Sequence, residues 1–260
     1  PSLHIAKNEA EGQTILQGQG DLHLQIALEK AHDLFNVDME TNVPAVAYRE
    51  TITRSATARY RHKKQSGGAG QFGEVELTVE PLPRGTGFEF VSKVVGGSVP
   101  SQYIPAVEKG VKEAMSGGAL AGFPMQDVRV SLLDGKHHSV DSKEIAFVMA
   151  GKKAFLDAVQ AANPVILEPI VEMQVQVAQE HVGDITGDIS ANRGIICGTQ
   201  AQGNGKVAVE VEAPLATVDD YSTRLKSLTG GDGQFAMTFS RYDVVPDHVQ
   251  KSLISEAKSH

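Results

Sequence analysis

The stretch from residue 164 to 245 leaves the fewest folds open. Val171, Met173, Val175 and Val177 alternate with Glu172, Gln174 and Gln176, the two-residue period of a strand buried on one face. Val182, Ile185 and Ile189 recur at helical spacing up to Arg193-Gly194. Two strand-like runs, 195–199 and 206–212, then flank Gly203-Asn204-Gly205 as a hairpin. A second helix is expected over 215–228, with Leu215, Val218, Ser222 and Leu225 on one face, and Phe235, Met237 and Phe239 alternate in a last strand over 234–243. The order βαββαβ specifies a complete ferredoxin-like domain.

The beginning of the chain carries a shortened form of the same pattern. Strands at 3–7 and 13–17, a turn at Gly18-Gln19-Gly20, a helix over 21–35 (Leu24, Ala27, Leu28, Ala31 and Leu34 on one face) and a strand at 37–41 give ββαβ. This is a partial ferredoxin-like unit lacking its first strand and helix, so the chain is expected to be a fragment of a longer protein.

A different unit opens after Pro44. A long basic and β-branched strand is expected over 45–64, entering the glycine-rich loop Gln65-Ser66-Gly67-Gly68-Ala69-Gly70-Gln71-Phe72-Gly73. Strands at 74–79 and 88–95 follow, then a helix over 101–115 with Ile104, Val107, Val111 and Ala114 at helical spacing. A strand at 127–133 delivers the chain into a second loop, Asp134-Gly135-Lys136-His137-His138-Ser139-Val140-Asp141-Ser142. Asp141, three residues before Glu144, reads as the capping box of a helix running to Ala162 and stopped by Asn163-Pro164. A short helix to Ala257 follows Pro246.

Net charge is −8 but uneven: residues 46–163 carry 15 basic and 12 acidic side chains, a balance of +3, against −5 before and −6 after them. Arg49, Arg54, Arg59, Arg61, Lys63 and Lys64 face Glu50 alone within 49–64, which suggests one RNA-facing stripe on an acidic protein; a solvated strand face is the plainer alternative. No apolar run approaches the roughly 18 residues that span a bilayer, so a soluble, cytoplasmic protein is expected. The single cysteine, Cys197, beside Ile195 and Ile196, reads as a small core residue.

The two loops admit several chemistries. Gly68 to Val75 matches a kinase-type G-x-G-x-x-G-x-V loop, yet no V-A-I-K, H-R-D or D-F-G follows, and no Walker A sequence occurs. A stand-alone phosphate-binding enzyme built on this loop is the remote option, and a simple turn the bland one. His137 and His138 with Asp134 and Asp141 could hold a metal, but adjacent residues of an extended chain point to opposite sides and no H-E-x-x-H helix or second cysteine is present. No G-x-S-x-G elbow exists either. Contact with RNA is favoured, Lys136 serving phosphate and the imidazoles and Gln71 serving backbone or base edges.

Seven separated motifs then agree in order with one family. GQGDLHL at 18–24, YRETI at 48–52, QSGGAGQFG at 65–73, YIPAV at 103–107, Asp134-Gly-x-x-His138-x-Val-Asp-Ser142, LEPI at 167–170 and Gly187-Asp-Ile-x-x-x-Arg193-Gly194 resemble the C-terminal half of bacterial elongation factor G. The resemblance covers nearly the whole chain. It implies an α+β multidomain protein: the end of domain III at 1–44, a ribosomal protein S5 domain 2-like domain IV at 45–163, ferredoxin-like domain V at 164–245, and a C-terminal helix at 246–260 packing on domain IV. It further implies that Gln65, Ser66, Gly67, Gly68, Gln71, Lys136, His137 and His138 form an RNA-binding tip that contacts transfer RNA and messenger RNA in the decoding region of the ribosome. Arg193 would touch ribosomal RNA.

The same resemblance places GTP and magnesium in a GTPase domain preceding residue 1. No cofactor, metal, catalytic site or membrane contact is expected here, and the protein should act as a monomer. Ala69, Asn192 and Asp232 stand where the family usually carries positive charge, and such losses weaken phosphate contacts. The function implied is translocation of transfer and messenger RNA, with a diverged paralogue in ribosome recycling or protection as the alternative.

Overall fold

A computed structural model describes residues 3–8, 13–17, 21–37, 39, 46–65 and 70–259. The chain forms two compact units, Pro1–Val46 with Val171–Phe239, and Ala47–Ile170 with Ser240–His260.

In the N-terminal segment, β1 (His4–Asn8) and β2 (Gln13–Gln17) pair antiparallel and precede α1 (Asp21–Phe35). Leu24, Ala27, Leu28 and Ala31 are half-buried on one face of α1, whereas Leu34, expected with them, is exposed in the last turn. The expected turn at 18–20, the boundary at Pro44 and most of the expected strand at 37–41 lie outside the described residues; Val37 and Met39 are described and are not in a strand.

The expected strand over 45–64 is two strands. β3 (Arg49–Ile52) and β4 (Ala56–Lys64) separate at Thr53-Arg54-Ser55. The chain continues through β5 (Gln71–Pro81), β6 (Phe88–Ser92), α2 (Ile104–Gly117), β7 (Val128–Lys136) and α3 (Glu144–Ala161). The sheet order is β4-β5-β7-β6, antiparallel except for the β6–β7 pair, which the α2 crossover joins in parallel. The break after β3 is set by α3: Arg54 donates from its backbone N–H to Ala162 O at 3.2 Å and from Nε to Ala161 O at 2.9 Å, a basic side chain on the orphan carbonyls of a helix end. β3 itself pairs with the start of β8 (Pro164–Ala178). Val75, Leu77, Val79, Val107, Val111, Val130, Leu132, Phe147 and Phe155 pack the core between sheet and helices. The aliphatic composition thus closes one continuous interior.

α3 begins at Glu144 with Lys143 at the N-cap and no side-chain cap bond, so the expected Asp141 capping box does not form. The Asp141 side chain is turned instead toward Gly70 and His138.

In the other unit, the later part of β8 is followed by α4 (Val182–Ala191), β9 (Ile195–Gly203), β10 (Lys206–Pro214), α5 (Tyr221–Thr229) and β11 (Gln234–Val244), in sheet order β11-β8-β10-β9. This is the ferredoxin-like arrangement, cored by Val171, Val175, Ile185, Ile189, Val209, Tyr221 and Leu225. The expected helix at 215–228 is split into a single 3₁₀ turn, Leu215–Thr217, and α5, because Val218 leaves helical geometry (φ −130°). Cys197 is exposed, not core: strand alternation turns Ile196 inward and leaves Ile195 and Cys197 on the open face. A final helix, α6 (Asp247–Ala257), follows Pro246.

Candidate nucleic-acid interface

One end of the β4-β5-β7-β6 sheet gathers the loop residues singled out by sequence. β4 ends at Lys64 and β5 begins at Gln71, paired directly with it, while β7 ends at Lys136 opposite Glu74. Gln65, Gln71, Lys136, His137 and His138 therefore share this end; Ser66, Gly67, Gly68 and Ala69 lie outside the described residues. Arg193 belongs to the other unit, where it occupies the left-handed region (φ 64°) after α4. The next N–H, from Gly194, returns to Ile189 O at 2.8 Å, closing the helix in a Schellman-type turn.

Both loops are stitched together. Phe72 N–H donates to Asp141 O at 2.9 Å, and Phe72 bridges Ser142 in parallel. The Ser142 hydroxyl donates to Phe72 O at 3.0 Å and accepts from His138 N–H at 2.8 Å. A Cβ on Gly70 would sit 2.6 Å from Asp141 Cγ, and one on Gly135 would sit 2.2 Å from Glu74 O, so these two glycines permit the close approach of loop and strand. The tip is therefore braced by backbone pairing rather than by a capped helix.

Individual side chains differ in availability. Gln71 is half-buried with Oε1 3.2 Å from His62 Nε2, while Lys136, His137 and His138 are exposed. His137 Nδ1 lies 3.3 Å from Ser98 O, which brings a third loop, 93–99, beside the first two. Sequence reading missed that loop; the pair Gly96-Gly97, both at positive φ, was the available signal. The His138 ring lies 6.3 Å from Phe72 between centroids, and its Nδ1 accepts from Val140 N–H at 3.3 Å and Asp141 N–H at 3.2 Å.

The basic stripe of β4 is not the free surface that sequence suggested. Arg59 bonds Glu74 Oε1 at 3.0 Å and Asp134 Oδ2 at 2.9 Å as well as Glu76, and Arg61 bonds Glu74. Burial alone would push the Glu74 carboxyl up; the hydrogen bonds from Arg61 and Arg59 reverse this and hold it below the usual carboxylate range. The shaft is thus close to neutral. Among the described residues Lys63, Lys64 and Lys136 make no ion pair within 4 Å, although Lys136 lies opposite Glu74, so positive charge is concentrated toward the tip.

Among the described residues, no three His, Cys, Asp or Glu side chains cluster as a metal site, and no helix is long and apolar enough to cross a membrane. Two of the positions where the resemblance implies positive charge have local partners: Asn192 Nδ2 donates to Asp188 O at 2.8 Å at the end of α4, and Asp232 pairs with Lys206 at 3.3 Å.

Comparison with known proteins agrees across this architecture. Residues 1–43 match the family model "Elongation Factor G, domain III", 44–163 match "Elongation factor G, domain IV", and 165–253 match "Elongation factor G C-terminus". The chain is 49% identical over 247 residues to the "Elongation factor G-like protein" of Thermotoga maritima, covering 95% of this chain and 36% of that protein. It is 46% identical over 256 residues to "Elongation factor G" of Aquifex pyrophilus, covering 98% of this chain and 36% of that one. A crystal structure from Thermus thermophilus superimposes with a TM-score of 0.85 at 40% identity, over 99% of this chain and 38% of its own. The chain therefore spans little more than a third of the length of these relatives. With three consecutive domain models matched in order, on sheets and helices of the corresponding kind, the chain belongs to the elongation factor G family.

Proposed function

We propose that this chain is the ribosome-contacting part of a cytoplasmic translational GTPase that promotes movement of transfer RNA and messenger RNA during protein synthesis. The observation that carries this reading is the tip: Lys136, His137 and His138 stand exposed at the end of a sheet whose shaft cations are neutralised. Such an end suits RNA backbone and base edges. The unit works as a stiff probe that occupies space behind moving RNA, because loops held by strand pairing transmit force. Arg193 serves as a ribosomal RNA contact from the other unit, and GTP with magnesium is handled by a part of the protein outside this chain.

In the full-length factor, His138→Ala is expected to slow single-turnover translocation about tenfold, the loss of roughly one good hydrogen bond in the rate-limiting state. Ribosome-stimulated GTP hydrolysis should stay within about twofold of the parent. Equal loss of both activities would overturn the role given to His138. A second reading, a diverged paralogue acting in ribosome recycling or protection, is supported by the uncharged or acidic residues Asn192 and Asp232 being engaged in local contacts. A factor of that kind would split ribosomes yet fail to translocate in the same assay.

A further inference from the structure

We propose that the turn at His138–Ser142 fixes His138 as the neutral tautomer protonated on Nε2, so that the tip presents RNA with one outward N–H donor, and that Ser142 is the positioning residue that holds this turn. The proposal rests on the reading of the tip as an RNA contact and adds which atom makes the contact and what it selects.

The geometry is local and specific. Val140 N–H and Asp141 N–H both point at His138 Nδ1, at 3.3 and 3.2 Å. A ring nitrogen facing two N–H donors must offer its lone pair, so the single proton of a neutral imidazole sits on Nε2. The turn is a histidine counterpart of the side-chain-to-backbone turns made by Asn and Asp. It is pinned at both ends by Ser142, which accepts from His138 N–H at 2.8 Å and returns its own N–H to His138 O at 3.2 Å. The one hydroxyl proton of Ser142 goes to Phe72 O at 3.0 Å, leaving its lone pairs for His138 N–H, so a single side chain ties the histidine turn to the first loop.

Asp141 Oδ2, 3.5 Å from Nδ1, competes as an acceptor for a proton on Nδ1, which would expel both backbone donors from that nitrogen. Two backbone N–H groups aimed at the ring oppose that outcome. The tip consequently favours RNA acceptors, such as base carbonyl oxygens, ring nitrogens, 2′-hydroxyls and phosphate oxygens, and disfavours exocyclic amines, which can only donate.

Two measurements test this. Long-range ¹H–¹⁵N correlation of the imidazoles in this chain at neutral pH should show His138 unprotonated on Nδ1 and protonated on Nε2. An Nδ1–H tautomer, an imidazolium or the averaged signal of free histidine would overturn the assignment. Ser142→Ala should shift His138 toward the averaged signal, and Ser142→Thr, which keeps the hydroxyl, should restore it; identical spectra for all three would remove Ser142 from the role.

The second measurement uses the full-length factor on ribosomes carrying messenger and transfer RNA. His138→Gln places an amide N–H near the Nε2 position and should keep translocation within about threefold of the parent, whereas His138→Asn keeps the inward acceptor but holds its amide N–H short of the Nε2 position and should fall about tenfold, with His138→Ala. Asn outperforming Gln overturns the outward donor. If His138→Ala itself is silent, the reading of the tip as an RNA contact fails, and the outward donor to RNA fails with it.

Discussion

Glu50 is the residue that most clearly shows how one buried charge can organise a loop. It is fully buried, and its carboxylate accepts four backbone N–H bonds: Ala119 at 2.5 Å, Leu120 at 2.9 Å, Ala121 at 2.8 Å and Phe123 at 3.1 Å. Its own backbone closes the same knot, donating to Pro124 O and accepting from Gln126 N–H. Removing the carboxylate leaves four donors dry, so Glu50→Ala is expected to cost about 3–5 kcal/mol in urea unfolding, while an exposed control such as Glu113→Ala should cost under about 0.5 kcal/mol. Glu74 gives a pH signature. Its carboxyl is depressed in the folded state, so its stabilising contribution is complete above the ordinary carboxylate value near pH 4.3 and is lost as pH falls through the lower folded value. Melting temperature against pH should therefore drop more steeply below about pH 4 for the parent than for Glu74→Gln.

At the scale of elements, β4 is a cationic strand made quiet by its neighbours. β5, next to β4, supplies Glu74 and Glu76, and β7, one strand further, supplies Asp134, all bonded to Arg59. An arginine row left bare would bind RNA along the whole shaft, in any register. On the proposed RNA-contacting role, the acidic residues confine attraction to the tip, which is a form of specificity by exclusion. The double substitution Glu76→Gln with Asp134→Asn should therefore raise affinity for an unstructured RNA oligonucleotide. It should also steepen the slope of log K against log salt by about 0.7, one freed cation on a single strand. An unchanged slope would mean that Arg59 stays satisfied by Glu74 alone.

At the scale of the whole molecule, the unit carrying the tip is built from two separated segments. Val245 N–H donates to Ile166 O at 3.1 Å, and Gln250 Oε1 on α6 accepts from Ile166 N–H at 3.0 Å, so residues 240–260 complete the bonding of a buried position in β8. Ending the chain at Val244, which keeps β11 whole, is expected to lower the melting of this unit by about 5–10 °C, the consequence of two unpaired buried backbone groups, with the other unit less affected. Calorimetry resolving the two units checks this.

The periodicities of the sequence determined most of the helices and strands, the βαββαβ order of residues 164–245, and the placing of glycine- and histidine-rich loops at strand ends, because these follow from local side-chain alternation and turn chemistry, but not the strand expected at 37–41, where Val37 and Met39 lie outside any strand. Alternation says which face is buried but not what lies across it. The bend that splits 45–64 into β3 and β4 comes from carbonyls at the far end of α3, the neutral shaft comes from carboxylates on two other strands, and Cys197 lies outward because Ile196 took the inward position. The tie between His138, Ser142 and Phe72 likewise joins residues about seventy positions apart. Such contacts depend on register and three-dimensional closure, and only the tertiary structure decided them.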